Sequence, residues 1–265
     1  MTPACMRIPA ILVSIDLRSM LLKFSAGNAK LHPDTLIFNL PAGRTCPGAD
    51  KCRAWAVVNS GKRNLVRGDN TEFTCFAARA EAQYPAVYDA RKHNFDLINA
   101  SDNIEELIYQ SIQVELKKRR RKYTRIRIHE SGDFFNIEYL KAWIKVAKRM
   151  PGLKFYCYSK SLHLFRSVIL PDNFYMTASY GGRYDALIDA GRFPRYVKVV
   201  QDIAEAAELN LPIDGVEYRH EERCFMDGPF ALLLHGGQSK ESNLNAKVKL
   251  NAAFLKPYKQ QHAGV

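Results

Sequence analysis

The stretch RIRIHESGDFFNIEYLKAWIKVAKRMPGLKFYCY, Arg125 to Tyr158, decides the fold. Its first residues complete a strand candidate, Thr124 to Ile128, and a polar turn from His129 to Asp133 follows. The hydrophobic period then changes. Asn136 is placed to cap a helix whose Leu140, Trp143, Ile144 and Ala147 share one face, and Pro151-Gly152 stops it before a second strand, Leu153 to Tyr158. Strand, crossover helix and strand in this order form a parallel βαβ unit.

Working outward, further strand candidates are Thr35 to Leu40, Asn173 to Ala178, Tyr196 to Val200 and Phe230 to Leu234, with helical patterns between most of them. Six visible strands predict a single α/β domain, a partial or irregular (β/α) barrel. A closed barrel asks for eight strands, and a doubly wound open sheet is the alternative. Either architecture gathers ligands at the carboxyl ends of its strands. Polar residues collect there: His129, Glu130, Ser131, Gly132 and Asp133 after one strand, then Ser159, Lys160 and Ser161, then Ser179, Gly181, Gly182 and Arg183, and finally His235, Gly236 and Gly237. Turns are polar and glycine-rich for geometric reasons alone, so it is the recurrence on one face that points to a site.

The loop region beyond the first of these strands carries Cys46 and Cys52 in Thr-Cys-Pro-Gly-Ala-Asp-Lys-Cys, and later Cys75 in Phe-Thr-Cys-Phe-Ala-Ala. Three soft thiolates suit three irons of a site-differentiated [4Fe-4S] cluster, whose last iron stays open to another ligand such as His129. The five-residue gap between Cys46 and Cys52 departs from zinc-ribbon spacing. Structural zinc and plain packing of small thiols remain the other readings. Cys157 falls within a strand and reads as core or as a fourth ligand, Cys224 lies in a polar loop, and Cys5 is remote from all of them. Glu130, Asp133 and Lys160 are the candidates for catalytic work, Lys160 also for holding an anion. His129 and His235 read equally as hydrogen-bonded structural residues or as acid-base groups.

With 265 residues, 47% of them hydrophobic, the chain has material for a full core without disulfide staples, so reduced thiols are expected. The apolar stretch Ile8 to Leu22 is interrupted by Asp16 and Arg18 and lacks the form of a leader. The expectation is a cytoplasmic protein without a membrane partner, divided into an N-terminal extension (1–23), a barrel-like domain (24–240) and a C-terminal helix or tail (241–265). A net charge of +12 suits an anionic partner. Much of it lies in the run Lys117 to Lys122, with Arg125 and Arg127 close behind, at the end of a helix that Asp102 and Glu105 are placed to open as a capping box. Such a run is either a solvated helix end or a nucleic-acid contact.

Several motifs together resemble the bacteriophage gene product eighty-eight family. They are Phe24-Ser-Ala-Gly-Asn-Ala-Lys30, Leu36-Ile-Phe-Asn-Leu-Pro-Ala-Gly, Thr45-Cys-Pro-Gly-Ala, Ile128-His-Glu-Ser-Gly-Asp-Phe-Phe, Thr177-Ala-Ser-Tyr-Gly-Gly-Arg and Leu232-Leu-Leu-His235-Gly. The order of parts is also similar, more distantly, to radical S-adenosylmethionine enzymes, with three cysteines beyond a first strand and a short turn beyond a second. That resemblance implies that Ser131, Gly132 and Asp133 stand where those enzymes bind the methionyl group, with Ser179 and Arg183 on the same rim, and that S-adenosylmethionine is a possible cofactor. The cysteine spacing differs from theirs. Whether the chain is an enzyme, and whether its substrate is a small molecule or a macromolecule, stays open.

Overall fold

A computed structural model describes residues 20–27, 31–118, 122–238 and 243–263. In chain order the strands are β1 (Phe24–Ala26), β2 (Thr35–Phe38), β3 (Ala54–Asn59), β4 (Lys62–Arg67), β5 (Arg125–Ile128), β6 (Lys154–Ser159), β7 (Phe174–Ser179), β8 (Tyr196–Val200) and β9 (Phe230–Leu233). The helices are α1 (Phe76–Gln83), α2 (Pro85–Ala100), α3 (Ile104–Leu116), α4 (Ile137–Arg149), α5 (Leu162–Phe165), α6 (Ala186–Asp189), α7 (Ile203–Glu208) and α8 (Leu244–Ala263).

Seven strands form one sheet in the order β1-β2-β5-β6-β7-β8-β9. β1 runs antiparallel on the β2 edge, and every other neighbouring pair is parallel. From β2 to β9 the spatial order follows the chain without reversal. That removes the doubly wound alternative, which requires a point where the order turns back. Among the described residues the sheet does not close into a barrel, since β9 pairs with β8 and with no strand at the far edge.

Alternation along each strand separates two faces. Leu36, Phe38, Ile126, Ile128, Phe155, Cys157 and Phe174 point to the side covered by α2, α3 and α4, in one cluster with Ile98, Ile108, Ile112, Leu140 and Trp143. Each large side chain fully buried there contributes about 1.5–3 kcal/mol. Cys157, fully buried in this cluster, is therefore core and cannot reach the cysteine loops. The opposite face, with Arg127, Tyr156, Tyr158, Val197 and Leu232, carries no comparable helical layer. Glu222–Phe225, a single 3-10 turn, covers part of it and buries Cys224 against Tyr156, Val197 and Phe230. Cys224 is thus also a packed thiol.

All six expected strands exist, displaced at their ends by no more than two residues. The expected capping box is shifted by one residue, because Asn103, not Asp102, accepts the N–H of Glu106 at 3.1 Å. The C-terminal segment contains α8, whose Asn251 donates to the carbonyls of Gln201 and Leu234, and whose Phe254 and Leu255 pack beside β9. Leu22, in the expected extension, is likewise buried and donates its N–H to Ser111 Oγ. Cys5 lies outside the described residues.

Asn136 accepts the N–H of Tyr139 at 2.8 Å and opens α4, the helix with seven buried residues. Asn136→Ala should cost about 1 kcal/mol, read as a fall in melting temperature of about 2–4 °C. An unchanged melting temperature would mean that the cap does not hold α4 in place.

Candidate functional site

The loop after β2 reaches across the carboxyl end of the sheet and is stitched to it by backbone contacts. Lys51 donates its N–H to Gly181 O and Arg183 donates its N–H to Gly48 O, while Ala49 forms a bridge with Gly182. Gly48 lies so close to β6 that a Cβ there would sit 2.1 Å from Lys160 O, which only glycine permits. The chain then leaves as the β3–β4 hairpin, the missed excursion between Cys52 and Cys75, and returns so that Cys75 is the residue before α1. A break of alternation at Asn59-Ser-Gly-Lys62, between two β-rich runs, is the sequence signal that would have found it.

Cys46, Cys52 and Cys75 thereby line one cavity of about 330 Å³. All three are free thiols and half-buried. Burial pushes the Cys46 thiol well up, with Asp133 and then the other two cysteines adding to it. Burial and then Cys52 push Cys75 up to about 11, against the N–H groups of Ala78 and Ala77 at the start of α1, which favour its thiolate. Among the described residues no group of three or more His, Cys, Asp or Glu is placed to hold one metal ion. A polynuclear cluster takes each thiolate at a different iron, and three thiols lining one cavity are a donor set that fits it.

Of the other expected site residues, His129, Glu130, Ser131, Gly132, Asp133, Lys160, Ser179 and His235 line the same cavity. His129 has φ 67°, which breaks the strand alternation; its Nε2 pairs with the Tyr139 hydroxyl at 2.8 Å and its ring packs on Phe134. Burial, with Arg127 nearby, lowers its pKa to about 3, so the ring is neutral. The ring packs on the helical side, while its Nδ1 is buried without a hydrogen-bond partner and the residue lines the cavity shared with the cysteines. Asp133 is saturated: Oδ1 accepts from the N–H of Phe134 and from Ser159 Oγ, both at 2.7 Å, and Oδ2 accepts from the N–H groups of Lys160 and Ser161. It ties the turn after β5 to the end of β6, and burial still raises its pKa. Gly132, at φ 87°, would bring a Cβ within 2.7 Å of Leu40 Cβ and Thr45 Oγ1, so this turn presses directly on the cysteine loop. Lys160 Nζ donates to Ser179 Oγ at 2.5 Å. Arg183 does not join them: its side chain is exposed and lines no part of the cavity.

Three groups escaped the sequence reading. Glu81 and Arg91 form a buried ion pair at 2.9 Å; Glu81 Oε1 also accepts from the N–H of Ala42 and from Ser131 Oγ. Arg127 pairs with Glu221 on the cavity floor, where Tyr156 donates to Glu221 at 2.8 Å. His220 lines the cavity with its Nδ1 2.6 Å from the fully buried Asp214 carboxylate, an arrangement that fixes the Nδ1–H tautomer and leaves Nε2 as an acceptor. Only Arg127 left a local trace, a charge alternating with isoleucines inside a buried strand.

Part of the basic run is described by the structure. Lys117 and Lys118 are exposed at the end of α3, and Lys118 pairs with Glu115. Arg119, Arg120 and Arg121 lie outside the described residues. Arg125 is paired with Glu222 and Asp34, and Arg127 with Glu221, so neither extends that surface. No helix among the described residues is long and apolar enough to cross a membrane.

The fold and cavity define a mixed α/β protein with a mostly parallel sheet and a three-cysteine cavity at its carboxyl edge. The chain belongs to the Gene product 88 family, whose model matches residues 20–252. It is also similar to the Gene 88 protein of Mycobacterium phage L5, with 32% identity over 90 residues, 32% of this chain and 38% of that protein. That match thus spans well under half of the relative's length. No solved structure matches the chain.

Glu81→Gln should leave Arg91 buried without a counter-charge and destabilise the protein by about 3–5 kcal/mol in urea unfolding. Adding Arg91→Met should recover part of that loss. A single-variant effect below about 1 kcal/mol, the level of an ordinary surface pair, would contradict this assignment.

Proposed function

We propose that this phage protein holds a [4Fe-4S] cluster through Cys46, Cys52 and Cys75, on a partial barrel of the radical S-adenosylmethionine kind. The observation that carries the reading is the convergence of three free thiols, from two segments separated by a hairpin, on one cavity at the carboxyl ends of parallel strands. The unreversed strand order supports the same architecture, since a partial barrel is a sheet wound in one direction and left open. A cluster bound there would supply a low-potential electron to S-adenosylmethionine, or Lewis acidity to a substrate, at the iron without a cysteine.

The chain's own residues supply the rest. Glu81 and Gly132 fix the two cysteine segments against the turn after β5. N–H groups at the start of α1 stabilise the Cys75 thiolate. Lys160 and Ser179 place a cation and a hydroxyl on the rim, where a carboxylate or phosphate of a bound molecule would be held. Asp133 serves as a positioning residue. His220, oriented by Asp214, presents an acceptor for a proton from a molecule in the cavity. Thiolate ligation and a reducible cluster also imply a reducing compartment, the host cytoplasm.

Anaerobically purified protein should carry about four irons and four sulfides per chain. Cys46→Ala, Cys52→Ala and Cys75→Ala should each lose the cluster, while Cys224→Ala and Cys157→Ala should keep it. Stoichiometric zinc without sulfide after anaerobic reconstitution would overturn the proposal.

A further inference from the structure

The excursion between Cys52 and Cys75 has a surface that the cluster reading does not use. β3 and β4 pair as a hairpin closed by Ser60 and Gly61, both at positive φ, the signature of a tight two-residue turn. Ala54, Ala56 and Leu65 face α1, packing in a cluster with Ala42, Ala77 and Ala78. Alternation and register put Trp55 opposite Val66, Val57 opposite Asn64, and Asn59 opposite Lys62 on the other face. Trp55, Val57 and Val66 are half-buried there, and no second element covers them substantially among the described residues.

The charge on this hairpin has one sign. From Cys52 to Gly68 the chain carries Arg53, Lys62, Arg63 and Arg67 and no acidic residue. No carboxylate pairs with any of the four among the described residues, whereas Lys51, just before, is matched by Glu72. The guanidinium carbon of Arg53 stands 5.9 Å from the Trp55 ring centre. A half-exposed indole flanked by unmatched cations is the pairing that holds single-stranded nucleic acid, with bases stacking on the ring and phosphates meeting the cations. A duplex keeps its base faces stacked and does not offer them to a tryptophan.

We infer that the outer face of the β3–β4 hairpin binds single-stranded nucleic acid, with Trp55 as the stacking platform and Arg53 and Lys62 as phosphate contacts. The hairpin begins two residues after Cys52, so a bound strand lies beside the loop that carries that cysteine. The inference is independent of the cluster, because charge and exposure on this face are the same whatever the thiols hold.

Titration of the full chain with labelled oligothymidylate tests it. The protein has two tryptophans, and Trp143 is fully buried, so quenching of indole emission reports Trp55. Binding should quench that emission and weaken with salt. Trp55→Ala should weaken binding about five- to hundredfold. Lys62→Gln with Arg53→Gln should flatten the log K against log salt slope by about 1.4, at about 0.7 per lost phosphate contact. Metal and sulfide content measured on the same variants should stay at the wild-type level, which separates failure here from failure of the cluster reading. Absence of binding at low salt, an unchanged slope in the double variant, or tighter duplex binding that depends instead on Lys117, Lys118 and Lys122 would overturn it.

Discussion

The Glu81 carboxylate is the constraint on which the site depends. It is buried in α1, and one of its oxygens accepts from the backbone of the first cysteine loop, from Arg91 of α2 and from Ser131 in the turn after β5. A buried carboxylate is tolerated only when charge and hydrogen bonds compensate its lost hydration. Here those compensating groups come from three separate segments outside α1. The cost of leaving any of them unpaired is what holds two loops and two helices in one arrangement, and three cysteines are attached to that arrangement.

Close approach does the remaining work. Gly48 against β6 and Gly132 against Leu40 and Thr45 leave no space for side chains, so the cysteine loop is pressed onto the ends of the strands. Asp133 then closes the joint by accepting four hydrogen bonds from neighbouring segments. Helices cover one face of the sheet with apolar contacts, and the other face is left to polar groups on a cavity floor. The division follows from an unreversed strand order with the larger crossover helices, α2, α3 and α4, gathered in one cluster.

Much of this was legible in the sequence. The six parallel strands announce themselves because buried strands are short apolar runs ended by polar turns, and Asn136 and Pro151 mark the helix between two of them. The three cysteines stood out for their chemistry. What the sequence hid was pairing at a distance: nothing near Glu81 points to Arg91 or Ser131, and Asp214 and His220 sit in a loop without periodicity. His129 follows a strand whose alternation alone points it to the site face, and its positive φ carries the ring against Phe134 and Tyr139. The hairpin was missed because its strands alternate weakly, with alanine on the packed face and cations among the outer positions. Arg125 and Arg127 read as part of a basic run because sequence proximity hides that alternation and ion pairing take them inside.

Mössbauer spectroscopy of the protein reconstituted with ⁵⁷Fe tests the central claim most directly, because it resolves irons by their ligands. Three irons on Cys46, Cys52 and Cys75 and one without a cysteine should give two environments in a ratio of about three to one, with the minor one shifting when S-adenosylmethionine is added. A spectrum with all irons in equivalent thiolate environments, unmoved by the added ligand, would contradict the account.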